Sequence, residues 1–137
     1  MNHGGKQVTE APLIQLRLPY PPSVNHYWEQ RKQGGRYLSK RAEAFRENVT
    51  AAVYGDLGRM PRLTGLLRIV VAVTFPDDGR THDMDNLWKG LLDALEHAGV
   101  YENDSQIRDE RMVDVGEEGN GWVELKLYPF IPGEFEL

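Results

Sequence analysis

Residues 66 to 75 read Leu-Leu-Arg-Ile-Val-Val-Ala-Val-Thr-Phe, and this stretch decides the fold. It is nearly all apolar and rich in β-branched residues, which predicts a buried strand at the centre of a sheet. Residues 76 to 80 form a turn, and a helix is predicted to begin near Asp83. Its apolar face consists of Leu87, Leu91, Ala94, Leu95 and Ala98. Gly99 follows as a left-handed cap, so a buried strand leads directly into an amphipathic helix.

The residues before this strand predict a second strand and a second helix. Alternation of apolar and polar residues predicts a strand over Leu13 to Leu18, which the prolines at positions 19, 21 and 22 end. Residues 23 to 37 are polar and contain two adjacent glycines, which predicts a long loop. Ser39 is then expected to be the N-cap of a helix that runs to about Tyr54.

Two further strands are predicted after the helix that begins near Asp83. They span Ile107 to Val115 and Trp122 to Tyr128. The glycine-rich residues 116 to 121 would join them as a hairpin. The order β-α-β-α-β-β predicts one α+β domain, with helices packed on a mixed sheet. We expect the domain to span residues 12–130, between tails at residues 1–11 and 131–137.

Composition limits the classes of function. The chain has 137 residues, 40% of them hydrophobic and 27% charged, which fits a single domain with a real core. No apolar run approaches the ~20 residues that span a bilayer, and the first residues lack the layout of a signal peptide. With no cysteine, disulfides and thiolate metal sites are excluded. We expect a soluble, cytoplasmic protein with no membrane partner.

Charge is divided unevenly along the chain, although the net charge is only -5. Residues 1–80 hold 12 Lys and Arg against 7 Asp and Glu, whereas residues 81–137 hold 4 against 14. Such a division is typical either of two solvated faces of opposite sign or of a phosphate-contacting half joined to a metal-binding half. The stretch from Arg31 to Arg46, with six cations and only Glu43 opposing, favours the second interpretation.

Three carboxylates are the strongest candidates for chemistry: Asp83, Asp85 and Asp104. Asp83 and Asp85 have a structural explanation as residues that cap the helix and complement its dipole. Alternatively, oxygen ligands of like charge would be held together by a hard cation such as Mg²⁺. The spacing does not fit an EF-hand, and the histidines are too far apart in sequence for a good zinc site.

Lys89 lies one helical turn beyond Asp85 on the same face. It is either a further charge for a phosphate site or a simple helix partner of Asp85. A helix from Asp83 to Ala98 would be ~23 Å long, so Asp104 reaches Asp85 only if the intervening chain doubles back.

Three runs carry a resemblance to a known family. Residues 82–95, His-Asp-Met-Asp-Asn-Leu-Trp-Lys-Gly-Leu-Leu-Asp-Ala-Leu, and 98–107, Ala-Gly-Val-Tyr-Glu-Asn-Asp-Ser-Gln-Ile, resemble the core signature of the RusA family of Holliday-junction resolvases. Residues 19–28, Pro-Tyr-Pro-Pro-Ser-Val-Asn-His-Tyr-Trp, resemble its N-terminal motif. The similarity spans roughly residues 13 to 128, and a departure is His82, where some relatives carry arginine.

The resemblance implies a function and a set of site residues. It implies that Asp83, Asp85 and Asp104 bind Mg²⁺ as catalytic aspartates and that Lys89 is the catalytic lysine. It also implies a homodimer that places paired nicks across four-way DNA junctions. The expected activity is therefore that of a Mg²⁺-dependent endodeoxyribonuclease acting in DNA recombination and repair.

Seven residues are predicted to contact branched DNA: Arg36, Lys40, Arg41, Arg46, Arg80, Asn86 and Tyr27. Tyr27 would stack on unpaired bases, pack on the domain or pack across a dimer interface, and Asn86 would hold an aspartate ligand, contact the backbone or do neither. Two other functions stay open, a non-catalytic branched-DNA-binding protein and a metal-dependent nucleotide phosphohydrolase. The second finds no glycine-rich phosphate cradle in the sequence.

Overall fold

The computed structural model describes residues 10–133 of the chain, which form a mixed sheet with helices packed against it. In chain order the elements are β1 (Ile14–Pro19), α1 (Val24–Tyr27), β2 (Trp28–Gln30), β3 (Arg36–Leu38), α2 (Lys40–Leu57), β4 (Leu67–Phe75), α3 (Asp85–His97), a 3-10 helix (Asp104–Gln106), β5 (Ile107–Glu117) and β6 (Trp122–Pro129). The predicted α+β class is confirmed.

Strand β4 lies in the interior of the four-stranded sheet, whose order is β1-β6-β4-β5. It pairs parallel with β5 and antiparallel with β6. Every second β4 residue from Leu67 to Val73 is fully buried, on the face that α2 and α3 cover. A run of apolar and β-branched residues is typical of a strand in the interior of a sheet, and the position of β4 between β5 and β6 agrees with that prediction.

The predicted hairpin between β5 and β6 is wrong, because these strands lie on opposite edges of β4. The connection over residues 118–121 crosses the carboxyl end of β4 instead. Here the backbone N–H of Glu118 donates to the carbonyl of Phe75 at 2.9 Å, and that of Asp77 donates to the carbonyl of Gly119 at 3.0 Å. The glycines therefore mark a close crossing of backbones rather than a two-strand turn.

The prediction of a long loop over residues 23–37 is also wrong, since this segment contains α1 and the antiparallel ribbon β2-β3. The phenol of Tyr37 on β3 donates to Glu29 on β2 at 2.8 Å. Strands of three residues are too short to show a period in the sequence, which explains why the ribbon was not predicted.

The predicted helix caps agree well with the structure. The hydroxyl of Ser39 accepts the N–H of Ala42 at 3.1 Å at the start of α2, and Gly99 has a φ of 75° just after α3. Helix α2 continues to Leu57, beyond the predicted end at Tyr54.

The predicted tails at residues 1–11 and 131–137 fall mostly outside the described residues, so the domain boundaries stay predictions. In the part that is described, Glu10 forms an ion pair with Arg68 of β4. Over residues 10–133, the helices are all too short or too polar to cross a bilayer.

Gly121 should be intolerant of any side chain. Its φ is 77°, and a Cβ there would lie 2.8 Å from both the amide nitrogen of Pro76 and the carbonyl oxygen of Thr74. We expect Gly121→Ala to lower the free energy of unfolding by about 2 kcal/mol or more, measured by denaturant titration. Gly119→Ala is the matched control, because Gly119 also has a positive φ but open space around it. Equal losses in the two variants would contradict the close crossing.

Candidate active site

Asp83 lies in the turn that leads from β4 into α3, Asp85 is the first residue of α3, and both are exposed. A carboxylate oxygen of Asp83 accepts the backbone N–H of Asp85 at 3.0 Å, and its carbonyl accepts the N–H of Asn86 at 3.1 Å. The helix itself begins at Asp85, two residues later than predicted. Asp83 therefore satisfies a free amide at the helix start, and its second carboxylate oxygen remains available to a ligand.

Lys89 belongs to an exposed stripe on α3. Asp85, Lys89 and Glu96 are all exposed, and their spacing of four and seven residues places them on one side of the helix. The other side packs against the core through residues such as Leu91 and Leu95. The stripe begins at Asp85, two residues after Asp83, and ends at Glu96, which contacts Asp104.

Asp104 lies beside the far end of this stripe. Its backbone N–H donates to a carboxylate oxygen of Glu96 at 2.8 Å, in the short 3-10 helix that Asn103 and Gln106 cap. Glu96 is eleven residues beyond Asp85 in α3, a rise of about 16 Å. The chain after α3 thus folds back only along the last turns of the helix. A site formed by one chain would require Asp104 to lie at the start of the helix, beside Asp85.

No three acidic or histidine side chains among residues 10–133 are arranged to hold a metal ion. The structure brings Asp83 and Asp85 together and leaves Asp104 at the opposite end of α3. One chain therefore offers two half-sites, an aspartate pair and a single aspartate with acidic neighbours.

The surroundings of Asp104 are strongly acidic. Tyr101 is buried beneath it, with its phenol donating to the carbonyl of Leu92 at 2.7 Å. Burial raises the pKa of Tyr101 well above its usual range, and the charges of Asp104 and Glu96 raise it further. Desolvation, and then the charge of Asp104, likewise raises the pKa of Glu110 on β5. This corner of the molecule therefore has an electrostatic potential that attracts cations.

Arg46 and Tyr27 are parts of an internal network, not of an open surface. Arg46 of α2 donates from Nε and Nη2 to the two carboxylate oxygens of Asp93 on α3, at 2.9 and 3.0 Å. The phenol of Tyr27 donates to the same carboxylate. Gly90 permits this approach, because a Cβ there would lie 3.0 Å from the ring of Tyr27.

This network corrects the prediction that Tyr27 stacks on DNA bases, since its side chain is fully buried. Burial, and then the hydrogen bond to Asp93, raises the pKa of its phenol above the usual range. The hydrogen bonds to Asp93 raise the pKa of Arg46 as well. Arg46 joins the two helices, so its predicted phosphate contact has no support in this arrangement.

The other predicted cations are exposed. Arg36, on the ribbon, places its guanidinium 5.1 Å from the centre of the Trp28 ring. Lys40 and Arg41 lie in the first turn of α2, and Arg80 lies in the turn after β4. These four side chains are accessible to a phosphate backbone.

A cleft of about 610 Å³ brings several predicted residues together between α2 and the turn that precedes α3. Arg41, Arg80, Asn86 and Asp83 all line it. The cleft therefore places Arg41 and Arg80, two cations of the basic half of the chain, beside Asp83 of the predicted aspartate pair.

His82 forms part of the wall of this cleft. Its ring stacks on Phe75 at a centroid distance of 5.5 Å, and its Nε2 lies 3.0 Å from a carboxylate oxygen of Asp78. This hydrogen bond lowers the pKa of Asp78.

Tyr20 also lines the cleft. Burial, and then the charge of Asp78, raises the pKa of its phenol to about 12. Tyr20 was not predicted as a site residue, because a tyrosine among prolines gives no signal of a cleft.

Comparison with known proteins identifies the family. The family model described as Endodeoxyribonuclease RusA matches residues 19–128. The chain belongs to the RusA endodeoxyribonuclease family. Crossover junction endodeoxyribonuclease rusA of Enterobacteria phage HK97 is 41% identical over 103 residues, covering 72% of this chain and 80% of the relative. The proteins of the same name from Enterobacteria phage 82 and Escherichia coli (strain K12) are each 34% identical over 116 residues, covering 82% of this chain and 91% of the relative.

The RusA match confirms the resemblance seen in the sequence. The matched region begins at the end of β1 and ends in β6, and so contains the aspartates, Lys89 and the whole cleft. In this RusA-family chain, sequence reasoning missed three cleft residues, Tyr20, His26 and Asn48. Asn48 follows Arg41 by seven residues in α2, and that helical spacing is the one signal that could have found it.

Arg46 and Arg41 should respond differently to substitution although they are on the same helix. Arg46→Gln breaks a paired, half-buried contact, so we expect the free energy of unfolding to fall by about 1–3 kcal/mol. Arg41→Gln removes an exposed cation and should change it by less than about 0.5 kcal/mol. Chemical denaturation of both variants measures the difference. Equal stability of the two variants would mean that the Arg46–Asp93 pair does not hold the helices together.

Proposed function

We propose that the chain is a Mg²⁺-dependent, structure-specific endodeoxyribonuclease that resolves Holliday junctions by paired symmetric nicks. The observation that carries the proposal is the RusA match over residues 19–128, which includes the exposed Asp83 and Asp85 and a cleft that Asp83, Arg41 and Arg80 line. The relatives of 34–41% identity are named crossover junction endodeoxyribonucleases. DNA recombination and repair is the corresponding process.

The donor atoms fit Mg²⁺. Asp83, Asp85 and Asp104 offer only carboxylate oxygens, which are the ligands that this hard cation prefers, and all three are exposed. Of the described residues, no histidine joins them in a cluster that would favour zinc. When bound there, Mg²⁺ would supply Lewis-acid stabilisation of the phosphoryl oxygens and a water of lowered pKa.

Two chains complete the site in this proposal. If two copies of α3 pack antiparallel along their exposed stripes, residue 85 of one copy lies opposite residue 96 of the other. Asp83 and Asp85 of one subunit would then face Asp104 of its partner, and the same would hold at the other end. Carboxylates of both subunits repel one another without a cation, so dimer formation and Mg²⁺ binding would support each other.

Helix α3 has the residues for such a contact. Trp88 lies beside the stripe, between the two half-sites, and is only partly buried in one chain. Leu92, one turn further on, is buried in the core of its own chain. A two-fold axis near the middle of the stripe would bring the Trp88 side chains of both copies together, as closed symmetry requires.

The remaining residues position the DNA and stabilise charge. Lys89, one turn from Asp85, would place its ammonium group near the phosphate that is cut and stabilise the charge that develops on it. Arg36, Lys40, Arg41 and Arg80 would neutralise neighbouring phosphates, and Asn86 would contact the strand at the cleft wall. Two equivalent sites related by a two-fold axis match the two strands that must be cut symmetrically in a junction.

Cleavage of branched DNA tests the proposed activity. We expect Mg²⁺ to support cutting of a synthetic four-way junction, with little cutting of duplex or flap DNA, and chelator to stop it. Asp83→Asn, Asp85→Asn and Asp104→Asn should each lower the rate by about 100-fold or more while junction binding in chelator is kept. Products are resolved on sequencing gels. Equal cutting of all substrates, or cutting in chelator, would contradict the proposal.

Mixing of inactive variants tests whether two chains form one site. Asp85→Asn and Asp104→Asn chains, unfolded and refolded together, should form mixed dimers with one intact site and recover about a quarter of the wild-type sites. On a cruciform plasmid these dimers should produce nicked circles and little linear DNA. A mixture of Asp83→Asn and Asp85→Asn is the matched control, since both changes damage the same half-site. Recovery in the control, or none in the test mixture, would contradict the two-chain site.

A further inference from the structure

We propose that the cleft between α2 and the turn before α3 holds an unstacked nucleotide of the cut strand, and that the side chains lining it set the sequence preference of cleavage. The inference rests on the proposed nuclease function and assigns a ligand to the cleft beside the proposed metal site. Its volume of about 610 Å³ lies in the usual range for a small organic ligand. Asp83 and Asn86 belong to its wall, so a bound nucleotide would adjoin the aspartate pair.

The charged side chains of the cleft suit a phosphate. Arg41 belongs to α2 and Arg80 to the turn after β4, and both are exposed. Asp78 also lines the cleft, where one of its carboxylate oxygens lies 3.0 Å from Nε2 of His82 and accepts the backbone N–H of Arg80. The cleft thus holds two cations and two carboxylates, and if the metal neutralises Asp83 the net positive charge left by Arg41 and Arg80 can accept a phosphate.

The uncharged part of the cleft suits a nucleobase. Ala44 and Phe45 lie three and four residues after Arg41, and Asn48 lies four and three residues after them, so the four line the cleft along one side of α2. Tyr20 and Leu87 add an aromatic and an aliphatic surface from other elements. An asparagine amide has a donor and an acceptor that can pair with a base edge, whereas a phosphate would not use the donor and acceptor together.

A base paired and stacked in regular duplex cannot enter a cleft of this shape. A base at the crossover of a junction is already weakly stacked, and its extrusion costs least there. Occupation of the cleft therefore links the sequence preference to the preference for branched DNA, because only a distorted strand can supply the nucleotide.

The first experiment blocks the cleft. A four-way junction carries 2-aminopurine at successive positions beside the crossover, and fluorescence is read in chelator so that cutting is excluded. We expect wild type to raise the fluorescence at one position, and Ala44→Phe, which fills the cleft, to abolish that rise. Ala44→Phe should bind the junction within about threefold of wild type and cut it at least about tenfold more slowly. Ala51→Phe, two turns further along α2 and exposed, is the control and should behave as wild type.

The second experiment measures sequence preference on a junction library randomised around the crossover. Asn48→Ala should flatten the preference for particular nucleotides at one position by about tenfold, with junction affinity kept. Asn120→Ala, an exposed asparagine in the crossing loop, is the control and should keep the wild-type preference.

The outcomes separate this inference from the nuclease proposal. A wild-type protein that does not cut junctions overturns the proposed function itself. A wild-type protein that cuts them, together with Ala44→Phe that retains the fluorescence rise and Asn48→Ala that retains the preference, overturns the cleft assignment alone.

Discussion

The length of α3 is the constraint on which the rest of the site depends. Packing of one side of the helix against the sheet fixes its position, since Leu87, Leu91 and Leu95 are buried in the core. Its opposite side carries Asp85 at one end and approaches Asp104 at the other, with a rigid rise of about 16 Å between them. A well-packed helix cannot shorten, so the carboxylates at its two ends stay apart within one chain.

The two halves of the chain meet where α2 packs beside α3. The ion pair between Arg46 and Asp93 joins the two helices, so this cation of the basic half is paired inside the domain. Arg41, on the same helix, then faces the cleft together with Arg80. The basic surface is therefore fixed relative to the aspartate pair by an internal ion pair, by the buried Tyr27 and by the close approach that Gly90 permits.

Local signals in the sequence predicted most of the fold. The run of apolar residues in β4, the Ser39 cap and the Gly99 cap are each properties of a few adjacent residues, and each is present in the structure. The partners of a strand are not local properties, which is why β5 and β6 were paired with each other and not placed on either side of β4. The glycines between them predicted a turn, but Gly121 instead lets one backbone cross close to another, where a Cβ would lie 2.8 Å from backbone atoms of residues 74 and 76.

By itself, the sequence determined the family, the α+β class and the identity of the candidate carboxylates, because motif spacing and hydrophobic period are fixed by covalent order. Only the tertiary structure decided how those residues are distributed. It buried Tyr27, paired Arg46 with Asp93, set Asp104 at the far end of α3 from Asp85, and added Tyr20 and Asn48 to a cleft beside Asp83. The physical reason is that side chains distant in sequence become neighbours only through packing, which decides which charges face solvent and which pair inside.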